Sequence, residues 1–324
     1  MVNQLIVTVT RRCNLRCSYC PTAKDGWPSL TPPDAARAVS LFCERFEGGD
    51  LKLFGGEPLL VPDVVRAVFS AARDEPKIRR VYLSTNGLGL NQEWLDFLRQ
   101  EPKAILTLSM DGRPSDHRRL RQALPGVPDA YDHLMSLRDE LVSMPRTVVT
   151  QTIAPSTARF AAENFEHLLS LGFSRFNFLP GYYVPWREEQ LAALRTGFSD
   201  IASTIVERWR DGRFLYVRNL FTWAPTPFFN TGMIVDADGS IHPSNLGLSA
   251  GLADTLEETR VGSLVAPPTR AALEAKAREV NALLERRLAP EVWRSTLSAD
   301  HELSRFCRGL YGDFLDYRRR RNAA

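Results

Sequence analysis

Three of the five cysteines in this 324-residue chain lie close together, at Cys13, Cys17 and Cys20. Thiolates spaced C-x3-C-x2-C can bind three irons of a cubane cluster and leave the fourth iron open to an exogenous ligand. A zinc site completed by a distant residue and three unliganded core thiols are the alternatives. Zinc favours paired C-x2-C knuckles, and the nearby Cys43 falls inside a helical pattern. The segment is rich in Arg and Asn, which is typical of a loop and disfavours core thiols.

Further polar and glycine-rich strings follow predicted strands, and in parallel α/β architectures chemistry collects at the C-terminal ends of strands. The fifth strand carries Gln151 near its end, and the sixth continues through Asn177 into Pro-Gly. The strings that follow the second, third and fourth strands are "GGEP" at 55–58, "TNG" at 85–87 and "SMDG" at 109–112.

The elements that must position these residues follow from the hydrophobic pattern. Alternation and apolar runs predict six strands, with helical patterns between them. This order is typical of a parallel sheet wrapped by helices, and six units are too few to close an eight-stranded barrel. The fold class is therefore α/β, as an open partial barrel or a doubly wound sheet. The predicted strands are 5–10, 51–54, 80–84, 104–110, 147–153 and 175–179.

Between the strands, caps and apolar periodicity predict helices over 35–46, 64–72, 94–98, 130–141 and 160–171. Beyond Pro180 the pattern changes. A long helix is predicted over 188–210, then a hairpin with Asp238-Gly239 as its turn, then helices over 269–287 and 303–320. We therefore expect two domains, 1–185 and 186–324.

The string "CNLRCSYC" resembles the signature of the radical S-adenosylmethionine (SAM) enzymes, and the resemblance extends through "GGEP", "STNG" and "SMDG" over roughly residues 4–180. It implies a partial (β/α)6 TIM-like barrel, one [4Fe-4S] cluster and SAM bound to its open iron. It also implies reductive cleavage of SAM to a 5′-deoxyadenosyl radical, which removes a hydrogen atom from the substrate. An external flavodoxin-like or ferredoxin-like protein would supply the electron.

The same resemblance implies roles for individual residues. Cys13, Cys17 and Cys20 would bind the cluster, and Glu57 would accept a hydrogen bond from the SAM ammonium group. The remaining expected cofactor-binding residues are Tyr19, Gly55, Gly56, Asn86, Ser109, Arg121 and Gln151. Two of these have structural alternatives: Arg121 as a surface helix residue, and Asn86 as part of an Asn-Gly turn.

The later strings "VTQTIAPST" and "LGFSRFNFLPGYYVPW" resemble the branch whose C-terminal extension is called SPASM. That extension normally binds auxiliary clusters through several cysteines, but here Ser244 stands where the first is expected and only Cys307 follows. We therefore expect a SPASM-like extension without an auxiliary cluster. Members that mature sulfatases often have Gln before "GGEP", where this chain has Phe54, so that activity is not predicted.

Without auxiliary iron to accept an electron, a redox-neutral outcome such as epimerisation or rearrangement is favoured, on a peptide, protein or small polar substrate. Peptide crosslinking or oxidation is one alternative, and a non-catalytic Fe-S or SAM-binding regulator is another. Cys307 would be a catalytic hydrogen-atom donor, or else a buried small hydrophobe on the last helix. The aromatic strings "GYYVPW" and "NLFTWAPTPFF" either line a substrate cavity or seal the two domains together.

Composition excludes several classes of protein. A net charge of +3 does not indicate a polyanionic partner, and the basic run 318–321 is typical of a solvated tail, so nucleic acid is not expected. No apolar run is long enough to span a bilayer, and no signal peptide is recognised. The odd cysteine count without framework spacing favours a reducing compartment, and we expect a cytoplasmic enzyme.

Overall fold

All six predicted parallel strands form in the computed structural model, which describes residues 3–24, 26–222 and 231–323. Each lies within two residues of its predicted bounds. The strands of the described residues are β1 (Gln4–Thr10), β2 (Leu15–Cys17), β3 (Gly49–Gly55), β4 (Ile78–Thr85), β5 (Ala104–Ser109), β6 (Arg121–Ala123), β7 (Thr147–Ile153), β8 (Arg175–Pro180), β9 (Tyr216–Val217), β10 (Thr231–Val235), β11 (Ser240–Ser244) and β12 (Gly262–Ser263).

Ten of these strands form one sheet in the order β12-β11-β10-β1-β3-β4-β5-β7-β8-β9. The run from β10 through β1 to β9 is parallel, and the predicted hairpin adds β11 antiparallel to β10. The α/β class with a mostly parallel, barrel-like sheet is thereby confirmed. β2 and β6 form a separate antiparallel ribbon that the sequence did not predict.

Helices connect the strands, and two begin at the predicted caps. Thr31 accepts a hydrogen bond from the Asp34 N–H before α1, and Asn91 caps α3 in the same way. The helices are α1 (Pro32–Arg45), α2 (Pro62–Arg73), α3 (Gln92–Gln100), α4 (Pro114–Leu120), α5 (Ala130–Ser136), α6 (Arg138–Ser143), α7 (Ala161–Ser170), α8 (Glu188–Arg210), α9 (Leu256–Thr259), α10 (Arg270–Ala277), α11 (Val280–Arg287) and α12 (Pro290–Ala323).

Two of the helix predictions differ from these bounds. The pattern over 130–141 divides into α5 and α6, and the pattern over 269–287 divides into α10 and α11. The last helix begins thirteen residues before its predicted start, at Pro290, where a missing N–H costs nothing in the first turn. No helix in the described part of the chain is long and apolar enough to cross a membrane.

The two faces of the parallel sheet differ in exposure. Leu51 and Leu53 of β3, like Val81 and Leu83 of β4, are fully buried in the core beneath the helices. The residues between them point to the opposite face, because side chains alternate along a strand. On that face Lys52, Phe54, Tyr82, Ser84, Ser109 and Asn177 are half-buried. We call this inner face the lumen.

Candidate active site

The three cysteines lie on the segment that leaves β1 at Thr10. Part of this segment is β2, which pairs antiparallel with β6 so that Cys17 lies opposite Arg121. The Cys20 N–H donates to the Cys17 carbonyl at 3.1 Å, and the Leu15 N–H lies 3.4 Å from the Cys13 Sγ. Backbone pairing therefore fixes the cysteine segment at the end of the sheet where the strands finish.

Burial keeps two of these thiols protonated when no metal is bound. Burial raises the pKa of Cys17 to about 11, although the nearby Arg121 opposes the shift. Burial also raises the pKa of Cys13, while the Leu15 N–H opposes it. Iron binding would displace these protons, as it does for thiolate ligands in general.

The donor set fits a cubane cluster better than a single metal ion. Among the residues that the structure describes, no three His, Cys, Asp or Glu side chains converge as ligands of one ion. A cubane makes no such demand, because each thiolate binds a different iron. Three thiols placed along one backbone-paired segment are compatible with that requirement.

Gly55 and Gly56 bring the end of β3 against the cysteine segment. The Gly56 N–H donates to the Thr10 carbonyl at 2.9 Å, and the Glu57 N–H donates to the Arg12 carbonyl at 2.8 Å. A Cβ on Gly55 would lie 2.0 Å from the Thr10 oxygen, and one on Gly56 would lie 2.1 Å from the Arg12 oxygen. The glycines are thus required by this backbone contact, whether or not they also approach the cofactor as predicted.

Glu57 is 1% exposed and already accepts three hydrogen bonds. Its donors are the Thr85 hydroxyl at 2.7 Å, the Asn86 N–H at 2.7 Å and the Leu59 N–H at 3.1 Å. Burial raises the pKa of Glu57, and these donors oppose the shift. An ionised carboxylate has about four acceptor positions, so one remains for the predicted ammonium contact.

Asp111, which the sequence argument passed over, is the centre of a buried cluster. It is 1% exposed and accepts hydrogen bonds from the Arg121 Nε at 2.8 Å and Nη2 at 2.9 Å, the Tyr19 hydroxyl at 2.8 Å and the Thr152 N–H at 3.0 Å. Arg121 also lies over the Tyr19 ring, 5.4 Å from its centroid. The available signal was the aspartate inside "SMDG".

This cluster changes the expectations for Arg121 and Tyr19. Arg121 is 8% exposed, so its alternative as a surface helix residue is wrong. Its guanidinium is bidentate on Asp111, which leaves Nη1 for the SAM carboxylate if the predicted role holds. Tyr19, within the cysteine segment, donates a hydrogen bond to the same carboxylate, and Arg121 lies opposite Cys17 of that segment.

The other predicted cofactor-binding residues separate into two groups. Asn86 donates to the Asn14 side chain at 2.7 Å and lies 4.0 Å from the Cys13 Sγ, and Ser109 lies at the end of β5 on the lumen face. Gln151 instead donates to the Ala161 carbonyl of α7 at 3.0 Å. Its side chain faces the helix layer, which does not support the predicted contact with cofactor.

Cys307 and the string "GYYVPW" meet where α12 covers the end of β8. Tyr182 donates to Asp300 at 2.9 Å, and the Trp186 indole donates to the Gly181 carbonyl at 2.7 Å. Burial, followed by Asp300, raises the pKa of Cys307 to about 12, so it stays a thiol. None of the contacts described for Cys307 joins it to the cysteine segment. These contacts favour the sealing interpretation of "GYYVPW"; most of "NLFTWAPTPFF" lies outside the described residues.

Comparison with known proteins agrees with this geometry. A sequence model described as "Radical SAM superfamily" matches residues 7–140. Residues 7–140 are therefore similar to the radical SAM superfamily. The match covers the cysteine segment, "GGEP", "TNG", "SMDG" and Arg121. This match supports the predictions of a radical SAM enzyme and of a [4Fe-4S] cluster and SAM as its cofactors.

Relatives with named functions match only a part of this chain. GTP 3′,8-cyclase 2 of Mycobacterium bovis is 37% identical over 95 residues, 28% of this chain and 26% of that protein. Molybdenum cofactor biosynthesis protein 1 of Bos taurus is 35% identical over 114 residues, 33% of this chain and 17% of that protein. The chain therefore aligns with about a quarter or less of the length of these relatives.

Solved structures match more of the chain at lower identity. A histidine-tagged form of anSMEcpe with bound AdoMet has a TM-score of 0.71 and 16% identity, covering 94% of this chain and 96% of that one. Streptococcus suis SuiB bound to the precursor peptide SuiA has a TM-score of 0.58 and 15% identity, covering 75% and 59%. At these identities the likeness establishes the fold.

Proposed function

We propose that this protein is a radical SAM enzyme that uses one [4Fe-4S] cluster to cleave SAM reductively and to remove a hydrogen atom from a substrate in the lumen. The observation that carries the proposal is that backbone hydrogen bonds to β6 and to the "GGEP" turn hold the cysteine segment in place. A regulator that bound only a cluster would have no need of a buried, preorganised glutamate and arginine beside it.

When bound, the cluster and SAM would supply the chemistry of reductive SAM cleavage and hydrogen-atom abstraction. The protein's own groups bind and orient. Cys13, Cys17 and Cys20 would hold the iron, and Glu57 would accept a hydrogen bond from the SAM ammonium. Arg121 would meet the SAM carboxylate through Nη1 while Asp111 keeps its guanidinium in place.

The outcome of the reaction is the finer part of the proposal. Outside the cluster segment the chain has only Cys43 and Cys307, which cannot hold a second cubane. We therefore favour a redox-neutral outcome, epimerisation or rearrangement, in a SPASM-like extension without auxiliary iron. Peptide crosslinking is the alternative, supported by the fold shared with SuiB, whose solved structure contains the precursor peptide SuiA.

Anaerobic reconstitution tests the cofactor assignment. Wild-type protein should bind about four irons and four sulfides, and with dithionite should slowly convert SAM to 5′-deoxyadenosine. Cys17→Ala should lose the visible absorbance of the cluster and the cleavage of SAM. Cys43→Ala is the matched control, because Cys43 is a buried residue of α1 outside the cysteine segment, and this variant should keep both.

Two results would contradict the proposal. Retention of the cluster in Cys17→Ala would refute the assignment of ligands. S-adenosylhomocysteine as the main product would indicate methyl transfer instead. An iron content near eight irons per chain would leave the radical SAM assignment in place. It would contradict the proposal that the C-terminal extension binds no auxiliary cluster.

A further inference from the structure

A cavity of about 190 Å³ lies at the edge of the sheet where the parallel strands begin. Thr147 and Arg175, the first residues of the paired strands β7 and β8, line it together with Phe214. Near the other end of β7, the Thr152 N–H donates to Asp111. Five residues of a parallel strand span about 17 Å, so the cavity is well separated from the candidate active site.

Arg175 reaches this cavity as a cation without a counterion. Its guanidinium forms no ion pair or hydrogen bond with the residues that the structure describes, and it lies 4.7 Å from the centroid of the Phe214 ring and 5.6 Å from that of Tyr216. Arg321 adds a second positive charge, 5.1 Å from the centroid of the same Phe214 ring. Burial lowers the pKa of Arg175, Tyr216 opposes the shift, and the charge of Arg321 adds to it. A partly buried cation without a partner favours the binding of an anion.

The Thr147 side chain provides a second polar group without a partner. It is 5% exposed, and its hydroxyl has no hydrogen-bond partner in the described part of the chain. The Thr147 backbone N–H is already used, because it donates to the Met144 carbonyl at 3.3 Å. A buried hydroxyl without a partner is costly, so it would donate readily to a ligand in the cavity.

The other walls of the cavity are mainly apolar, and none of the described residues that line it is acidic. The apolar lining includes the buried side chains of Leu141, Met144 and Phe173. A cavity of about 150 Å³ accommodates benzene, so this one has room for a ring or a short alkyl chain beside a charged group. Apolar walls would remove water from an inorganic anion without replacing its hydrogen bonds. The lining therefore suits a carboxylate that is attached to an apolar body.

We infer that Arg175 and Thr147 form a second ligand site, which binds a small monocarboxylate with an apolar body. The guanidinium N–H groups and the Thr147 hydroxyl donate to the carboxylate oxygens, and Leu141 and Phe173 contact the apolar body. The bound carboxylate also offsets the repulsion between Arg175 and Arg321. The site goes beyond the proposed function, because its ligand lies at the far end of the sheet from the cysteine segment and is not the substrate that loses hydrogen.

The test measures binding of sodium benzoate and sodium hexanoate to the reconstituted holoenzyme by isothermal titration, with sodium chloride at matched ionic strength to control for screening. Arg175→Gln should weaken binding of both carboxylates about tenfold, the effect of losing one charged contact. Arg213→Gln is the matched control and should bind like wild type, because Arg213 adjoins Phe214 in sequence but is exposed and pairs with Asp211. Benzyl alcohol, which lacks the charge, should bind wild type at least about tenfold more weakly than benzoate.

Thr147→Val separates a loss of binding from a fold defect. Valine has nearly the same shape as threonine but lacks the unpaired hydroxyl, so this variant should be at least as stable in urea as wild type. It should nevertheless bind benzoate about threefold to tenfold more weakly, because one hydrogen bond to the carboxylate is lost. Arg175→Lys keeps the charge and should bind benzoate more tightly than Arg175→Gln does. Saturation with SAM should leave the affinity for benzoate unchanged, because the two sites do not overlap.

Three results would overturn the inference. The first is unchanged binding in both Arg175→Gln and Thr147→Val, or no binding of either carboxylate to wild type at about 20 mM. The second is binding of inorganic phosphate as tight as that of benzoate, which would contradict the preference for an apolar body. The third is competition between benzoate and SAM, which would place the carboxylate in the candidate active site instead.

Discussion

At the scale of single residues, Asp111 shows how the site is held together. Its carboxylate receives four hydrogen bonds and neutralises the buried Arg121. Asp111→Asn removes the charge and leaves Arg121 buried without a counterion. We expect the free energy of unfolding in urea to fall by about 3–5 kcal/mol, the range for breaking a buried pair.

Asp132→Asn is the control for this change, because Asp132 is 68% exposed and pairs with the exposed Arg118. Its effect should be below about 1 kcal/mol. Equal losses of unfolding free energy in the two variants would show that the buried Asp111–Arg121 pair stabilises the protein no more than an exposed ion pair does.

Residue roles were only partly predictable from sequence. The cysteine spacing and "GGEP" indicated a cofactor site because few other structures need those residues together. The prediction that Gln151 contacts the cofactor is not supported, because a position near the end of a strand does not reveal which face of the sheet the side chain points to. Its alternation with Val149 and Ile153, both in the helix-covered core, carries that information.

At the scale of elements, the contact between β1 and the "GGEP" turn determines where the cysteines and Glu57 lie. Gly56→Ala should push the turn away from the Arg12 carbonyl, since its Cβ would lie 2.1 Å from that oxygen. We expect a loss of about 1–3 kcal/mol in the free energy of unfolding, with a lower yield of reconstituted cluster. Urea unfolding and iron analysis measure the two effects.

Gly251→Ala provides the comparison, because no atom lies within 4 Å of its added Cβ and its φ is not positive. It should leave both stability and cluster yield near wild type. If Gly56→Ala did the same, the backbone contact would not be what positions the cysteine segment.

The long parallel strands were predictable because their helix-facing positions form unbroken apolar series. The β2–β6 ribbon was not, since three-residue strands carry no periodic pattern. Its pairing depends on α4 returning the chain to the cysteine segment, a long-range relation that local sequence does not encode.

At the scale of the whole molecule, the proposed boundary near residue 185 divides segments that share one sheet and one core. β10 pairs with β1, and the buried Arg11 at the end of β1 forms an ion pair with Asp236 in the hairpin. On the far side, Phe306 of α12 packs 5.5 Å from Phe178 of β8 and 4.9 Å from Phe198 of α8, between ring centroids. We therefore expect the proposed domains 1–185 and 186–324 to unfold together.

Phe306→Ala tests this coupling. Phe306 is 6% exposed, so the cavity should lower the free energy of unfolding by about 3–5 kcal/mol. Leu315→Ala, on the same helix but 37% exposed, should cost less than about 1 kcal/mol. Native-state hydrogen exchange followed by mass spectrometry measures the protection of backbone amides separately in β1–β5 and in α8–α12. Because the segments share a sheet, Phe306→Ala should lower protection of the slowest amides equally in both; a loss confined to α8–α12 would mean that the two proposed domains unfold independently.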